Sequence, residues 1–239
     1  MNLSDRILQE LSAGKNPEKA RLMARFFKTG KGKYAEGDLF WGLTSAAVQK
    51  TARKYAAGIS LREVDALLAH PFHEARSCAV VILVWQYQHA KTPQERKAVF
   101  DFFVPRLPRA NNWDLIDVSV YKIIGAQLFG SGAELLFRLA ESCNLWEQRA
   151  AVVSTLYFIK HGKLDVTFAL CEKLLSHPHD LMHKACGWML REAGKQDEAA
   201  LCAFLDKFAA VMPRTMLRYS LEKMDREKRT YYMGRKAAQ

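Results

Sequence analysis

The chain has 239 residues, 49% of them hydrophobic, which suffices for one large domain or one helical array with a continuous core. A formal charge of +11 favours a polyanionic partner, because cations that meet phosphates release condensed counterions. The most apolar run, Cys78 to Trp85, falls short of the roughly 20 residues a spanning helix needs, and the five scattered cysteines (78, 143, 171, 186 and 202) contain no Cys-x-x-Cys pair and read as buried free thiols.

Apolar residues recur at helical spacing in almost every segment, and none alternates like a strand. The first helix is expected at 3–13. It opens an amphipathic pattern directly from Met1, so no signal peptide and a cytoplasmic or nucleoid location are expected. Helices follow at 17–28, 44–57, 60–69, 72–90, 93–104 and 113–129, then at 132–142, 145–160, 164–176, 180–194, 197–210, 213–224 and 226–233. Thr92-Pro93 supplies a cap and a first-turn proline, and Gly58, Gly130, Gly162 and Gly194 are read as helix ends. Pro71, Pro105, Pro108, Pro178 and Pro213 fall between helices. No low-complexity linker interrupts the chain, so residues 1–239 are expected to form one domain, with a frayed tail at the end.

Three segments resemble one another: Phe72–Val81, Trp146–Val153 and Met182–Trp188. Each starts with polar or basic residues and then turns apolar. With Trp113–Val120 as a fourth member they recur at intervals of roughly 35–40 residues, close to the period of HEAT-type helix pairs. Stacked pairs of that kind would give an all-α, curved solenoid, with the polar helix starts lining a basic concave wall.

The segment Ala110–Asp117 opens a helix. Asn111 or Asn112 is the expected N-cap and Asp114 lies in the first turn, where the macrodipole favours an anion. Asp117 follows Trp113 by four residues, so both project from one face. On residue types alone this is also simply a capped helix with an amphipathic tryptophan. Arg149 could equally pair with Glu147, and Trp188, after Gly187, could fill core space. His179 and His183 form an i, i+4 pair with Cys186 nearby, too few ligands for zinc, so no metal is expected. No phosphate-binding glycine loop, dinucleotide fingerprint or nucleophile elbow is present, so no nucleotide cofactor is expected. Basic residues cluster near helix ends (Lys28, Lys31, Lys33, Arg53, Lys160, Lys163, Lys184, Arg191) and along the C-terminal stretch from Arg214 to Lys236.

In order and spacing, these segments resemble the AlkD-type DNA glycosylases, the HEAT-like-repeat family of bacterial DNA alkylation repair enzymes. The resemblance runs from Asn16-Pro17-Glu18-Lys19-Ala20 through Trp113–Asp117 and Asn144–Ala151 to Lys184–Glu192. It implies that Asp117 is the catalytic carboxylate, that Trp113 and Trp188 line the cleft for lesion and sugar, and that Arg149 touches the DNA backbone. Ser45, Arg53, Lys160, Lys163 and Arg191 are expected to join Arg149 on the phosphates. The implied activity is hydrolysis of the N-glycosidic bond of positively charged N3- or N7-alkylated purines in duplex DNA. It would proceed without base flipping and without a cofactor, and the protein would act as a monomer. The sequence departs from the family pattern at Asn112, where a second tryptophan is familiar. It also departs at Gly42–Ala47, where Ser45 replaces threonine and a proline is missing. The alternative reading is a HEAT-like scaffold that holds damaged DNA without chemistry.

Overall fold

Cap chemistry sets most helix starts in the computed structural model, which describes residues 2–235. Asn2 accepts the Asp5 amide at the start of α1 (Leu3–Ala13), and Asn16 accepts that of Lys19 at the start of α2 (Pro17–Phe26), with Pro17 in the first turn. Thr44 caps α3 (Ser45–Tyr55), and Ser60 with Glu63 forms a reciprocal capping box on α4 (Leu61–Leu68). Then come α5 (His73–His89), α6 (Pro93–Phe103, capped by Thr92) and α7 (Trp113–Val120, preceded by Asn112). A π turn, Tyr121–Gly125, leads into the short α8 (Ala126–Leu128). The remaining helices are α9 (Glu134–Ala140), α10 (Leu145–Lys160), α11 (Asp165–Lys173), α12 (Asp180–Gln196), α13 (Glu198–Phe208), α14 (Arg214–Ser220) and α15 (Arg226–Gly234). Among the described residues the one β pairing is an isolated Leu39–Phe72 bridge, so the fold is all-α.

The chain divides into two compact units, Met1–Gln127 and Leu128–Gln239. In the first, α5 is covered by α1, α3, α4, α6 and α7. Ile82 and Leu83 are fully buried at its middle, as is Phe103 of α6. A helix covered on all sides carries apolar residues all round, which is why the α5 sequence lacks a clean polar face. In the second unit α10 packs on α9, α11 and α12, and α12 on α13 and α14. Gly187 permits a close approach of α12 to α14, since a Cβ there would lie 2.5 Å from both the Met216 carbonyl oxygen and Tyr219 Cβ. The starts of α5, α7, α10 and α12 coincide with the four related segments. No helix among the described residues is long and apolar enough to cross a membrane.

Several expected features differ. The single helix read over 113–129 is interrupted by the π turn, whose wider spacing lets Ile123, Ile124 and Gly125 be buried in succession. Residues 104–109, read as a proline-containing link, form a 3-10 helix. The helix read to Lys28 stops at Phe26, and Lys28 takes a left-handed φ of 58°. Gly194, read as a helix end, lies inside α12, where a Cβ would meet Leu201 Cδ2 at 2.3 Å; its lack of a side chain serves packing. Cys78, Cys171 and Cys186 are buried, but Cys143 is exposed and Cys202 half-buried. Lys236 and the terminal tail lie outside the described residues.

The link into α3 shows how the site is anchored. Gly42 has φ +87° and sits against the backbone of the α2 start, where an added Cβ would lie 2.2 Å from the Asn16 carbonyl oxygen. The amides of Trp41, Gly42 and Leu43 all donate to the buried carboxyl group of Glu74 (3.0, 2.8 and 3.1 Å), which ties α2, α3 and α5 together. Gly42→Ala therefore combines a forbidden backbone conformation with a backbone clash. It is expected to destabilise the protein by about 2–4 kcal/mol, lowering Tm by roughly 5–15 °C. A melt within 2 °C of wild type would show that this link yields freely.

Candidate active site

The N-terminal turn of α7 brings Trp113 and Asp117 to one face of the first unit. Asn112, fully buried, caps the helix by accepting the Trp113 amide (2.9 Å) through its side-chain oxygen. Trp113 is half-buried against Phe26 and Phe27 (ring centroids 5.9 and 5.4 Å), and Phe27 in turn stacks on Phe40 at 5.3 Å. Asp117, one helical turn on, is half-buried and engaged within the fold. Leu115, Ile116, Ser119 and Val120 fill the inward side of the helix, which leaves Trp113, Asp114, Asp117 and Val118 with exposure to the outside.

Below Trp113 lies a buried ionic cluster. His73 donates from Nδ1 to Asp38 (3.2 Å) and from Nε2 to Asp114 (2.8 Å). Its ring also packs against Phe27 and Phe40, with centroids at 5.0 and 4.8 Å. Burial by itself disfavours the imidazolium, but the hydrogen bonds and charges of Asp114 and Asp38 outweigh it and raise the pKa from 6.5 to about 9. Asp38 is subject to the opposing balance. Burial would raise its pKa, yet His73 and Arg76 hold it below the usual carboxylate range. Arg76 pairs with Asp38 and donates to the carbonyl oxygens of His70 (2.8 Å) and Pro71 (3.0 Å), and Asn112 Nδ2 reaches Asp38 at 3.4 Å. Two anions thus alternate with two cations, and the imidazolium packs against two aromatic rings that also favour a cation.

A raised histidine pKa binds a proton more tightly in the folded state than in the unfolded one. The stabilisation is complete below about pH 6.5 and is lost as the pH climbs through about 9. Urea unfolding between pH 6 and 9.5 is expected to show a loss of up to roughly 3 kcal/mol, with the slope absent in His73→Gln. Equal slopes in the two proteins would place the titrating group elsewhere.

This cluster corrects one expectation. The polar start of α5 was read as lining an open wall. Instead His73, Glu74 and Arg76 are 2%, 1% and 5% exposed and point inward, because Asp38 and the 41–43 amides supply their partners. The polar helix start was the visible signal; Asp38, in a loop, carried none.

The other expected residues are placed as follows. Ser45, Gln49 and Arg53 form a ladder along α3, with Gln49 donating to Ser45 Oγ (3.1 Å) and Arg53 to Gln49 (3.3 Å). In the second unit Arg149 is 4% exposed and donates to the Leu181 carbonyl oxygen at 2.6 Å, while the neighbouring Gln148 meets His177 Nε2 at 2.9 Å. Consecutive residues of α10 thus clasp the start of α12, the helix that carries half-buried Trp188. Lys160 and Lys163 are exposed, Lys163 over the Phe129 ring at 4.9 Å. Arg191 is held between Glu192 and Glu222. The histidine group serves as cap chemistry: His179 accepts the Leu181 amide, His177 accepts that of His179, and His183 bonds the His177 carbonyl oxygen. Among the described residues no three His, Cys, Asp or Glu side chains converge as a metal site.

Comparison with known proteins agrees with this architecture. A solved structure, the predicted DNA alkylation repair enzyme from Enterococcus faecalis, is similar with a TM-score of 0.68 and 17% sequence identity, over 89% of this chain and 97% of that one. At that identity the likeness establishes the fold alone. No curated protein matches the chain. The family of DNA alkylation repair enzymes matches residues 7–224, nearly the whole length, and the chain belongs to that family.

Proposed function

We propose that the protein is a monofunctional DNA glycosylase that removes positively charged N3- or N7-alkylated purines from duplex DNA. The observation that supports this reading is the carboxylate of Asp117 one turn beyond Trp113 on the outward face of α7, in a chain of this repair family. Alkylation leaves the purine cationic. Its N-glycosidic electron pair can therefore return to the ring as the bond breaks, neutralising the base and leaving an oxocarbenium-like sugar. Asp117 stabilises that developing cation and orients the water that adds to the anomeric carbon, with the water proton passing to the carboxylate or to solvent. An activated leaving group needs no general acid, and the base can leave without being flipped into a pocket. No cofactor takes part.

Trp113 would offer an indole face to the cationic sugar, contributing about 0.5–2 kcal/mol where water is excluded. Ser45, Arg53, Lys160, Lys163 and Arg191 would contact phosphates. The resemblance puts Arg149 on the DNA backbone as well. Its burial and its bond to Leu181 support a different contribution, that of fixing the start of the helix bearing Trp188.

The test is release of free N7-methylguanine from methylated duplex DNA by the purified protein. Release above the spontaneous rate is expected. Normal duplex binding with no release would favour a non-catalytic DNA-binding scaffold.

A further inference from the structure

The first unit carries a cleft of about 340 Å³ between α3, α5 and α7, on which the proposed function draws only for phosphate contacts by Ser45 and Arg53. The three helices run in the same direction. At one end Glu74 of α5 holds the amides leading into α3, and His73 holds Asp114 of α7. At the other, Gln86 reaches the Ala56 carbonyl oxygen just past α3, and Tyr87 bonds Gln127 beyond α7. Residues eight apart on each helix therefore mark opposite ends of the cleft.

The ends differ in charge. Arg53 of α3 and Lys122 of the π turn lie at the C-terminal end, and Asp114 at the N-terminal end. Between them Val81, Trp85 and Val118 make an apolar floor, on which Val118 is 41% exposed. Asp114 is only half satisfied. Its Oδ2 accepts from His73, whereas Oδ1 is buried and has no hydrogen-bond partner, a condition that costs about 1–3 kcal/mol until a donor arrives. The eight residues from Asp114 to Lys122 span about 12 Å, the scale of a nucleoside monophosphate.

We propose that this cleft binds a single nucleotide. Its base lies over Val81, Trp85 and Val118, a ring or exocyclic N–H donates to the Asp114 carboxylate at the end of the cleft, and its phosphate meets Arg53 and Lys122. An acidic peptide or a lipid headgroup would use the cations but leave Asp114 and the indole without a purpose. A metal ion would meet Asp114 but be repelled by Arg53 and Lys122. The nucleotide can be one unstacked from a bound duplex, distinct from the damaged one beside Asp117, or a free mononucleotide. The first source rests on the DNA reading above; the second does not.

The experiment is a titration of Trp85 fluorescence with deoxyguanosine monophosphate, with Trp85→Phe identifying the signal. Saturable quenching is expected, about tenfold weaker with deoxyguanosine or inorganic phosphate alone and about tenfold weaker in Arg53→Ala/Lys122→Ala. Val81→Phe, which fills the floor, should abolish it; the two surface substitutions keep the test valid if that variant does not fold. In a second arm, 2-aminopurine is placed opposite an abasic-site analogue in a duplex. A fluorescence response, read on fully bound duplex, that Lys122→Ala removes assigns the site to unstacked DNA, and mononucleotide binding without that response assigns it to the free form. No response in either arm, or responses that survive the cleft substitutions, would overturn the proposal. Asp117→Asn should bind the mononucleotide normally, so loss of the glycosylase reading and loss of this one are separately visible.

Discussion

Asp117→Asn is expected to lower N7-methylguanine release by about 10²–10³-fold while leaving duplex affinity within about twofold. Asparagine keeps the size and reach of the side chain, removes its charge and turns one acceptor oxygen into an N–H donor. A carboxylate about 4 Å from a sugar cation contributes roughly 4 kcal/mol at an effective dielectric near 20, which sets the upper end of that range. The sugar of the ground state is neutral, so this interaction strengthens only as the bond breaks and acts on the rate rather than on binding. Single-turnover release from methylated duplex, beside a binding titration on the same DNA, separates the two. Equal rates for wild type and variant would remove Asp117 from the chemistry and turn attention to Asp114, the other carboxylate on α7. A parallel loss of affinity and rate would mean that Asp117 holds DNA rather than the transition state.

The largest effect on stability is expected at Asp38. Its side chain is 3% exposed and faces His73, Arg76 and Asn112. Asp38→Ala leaves the imidazolium with Asp114 as its remaining carboxylate partner and the buried guanidinium with the His70 and Pro71 carbonyl oxygens alone. Breaking a buried ion pair from one side costs about 3–5 kcal/mol, since the remaining charge can return to water only by unfolding. For a chain of this length that lowers Tm by roughly 6–20 °C. The effect should reach the site as well, because His73 supports Phe27 and Phe40, and Phe27 supports Trp113. Circular dichroism melts and near-ultraviolet spectra, which report tryptophan packing, would show both. A variant that melts like wild type would mean that water already screens the cluster. Asp38→Asn is expected to cost less, since its amide oxygen can still accept from His73.

Some of this was written locally in the chain. Helical periodicity is a property of neighbouring residues, and so is capping, so the all-α class, the Thr92-Pro93 cap and the helix starts at Pro17, Trp113 and Leu145 could be read directly. The four-residue spacing of Trp113 and Asp117 likewise placed both on one helical face before any fold was known. The direction in which a polar helix start points could not be read this way. His73 is directed inward by Asp38, 35 residues earlier in the chain, and Arg149 by a carbonyl 32 residues later. The orphaned oxygen of Asp114 and the opposed charges of the cleft likewise exist only because α3, α5 and α7 run side by side. Local sequence settled the helical class and which pair could share a face. Tertiary packing decided which polar groups are buried with partners and which are left for a ligand, because burial and charge pairing depend on neighbours that sequence distance does not encode.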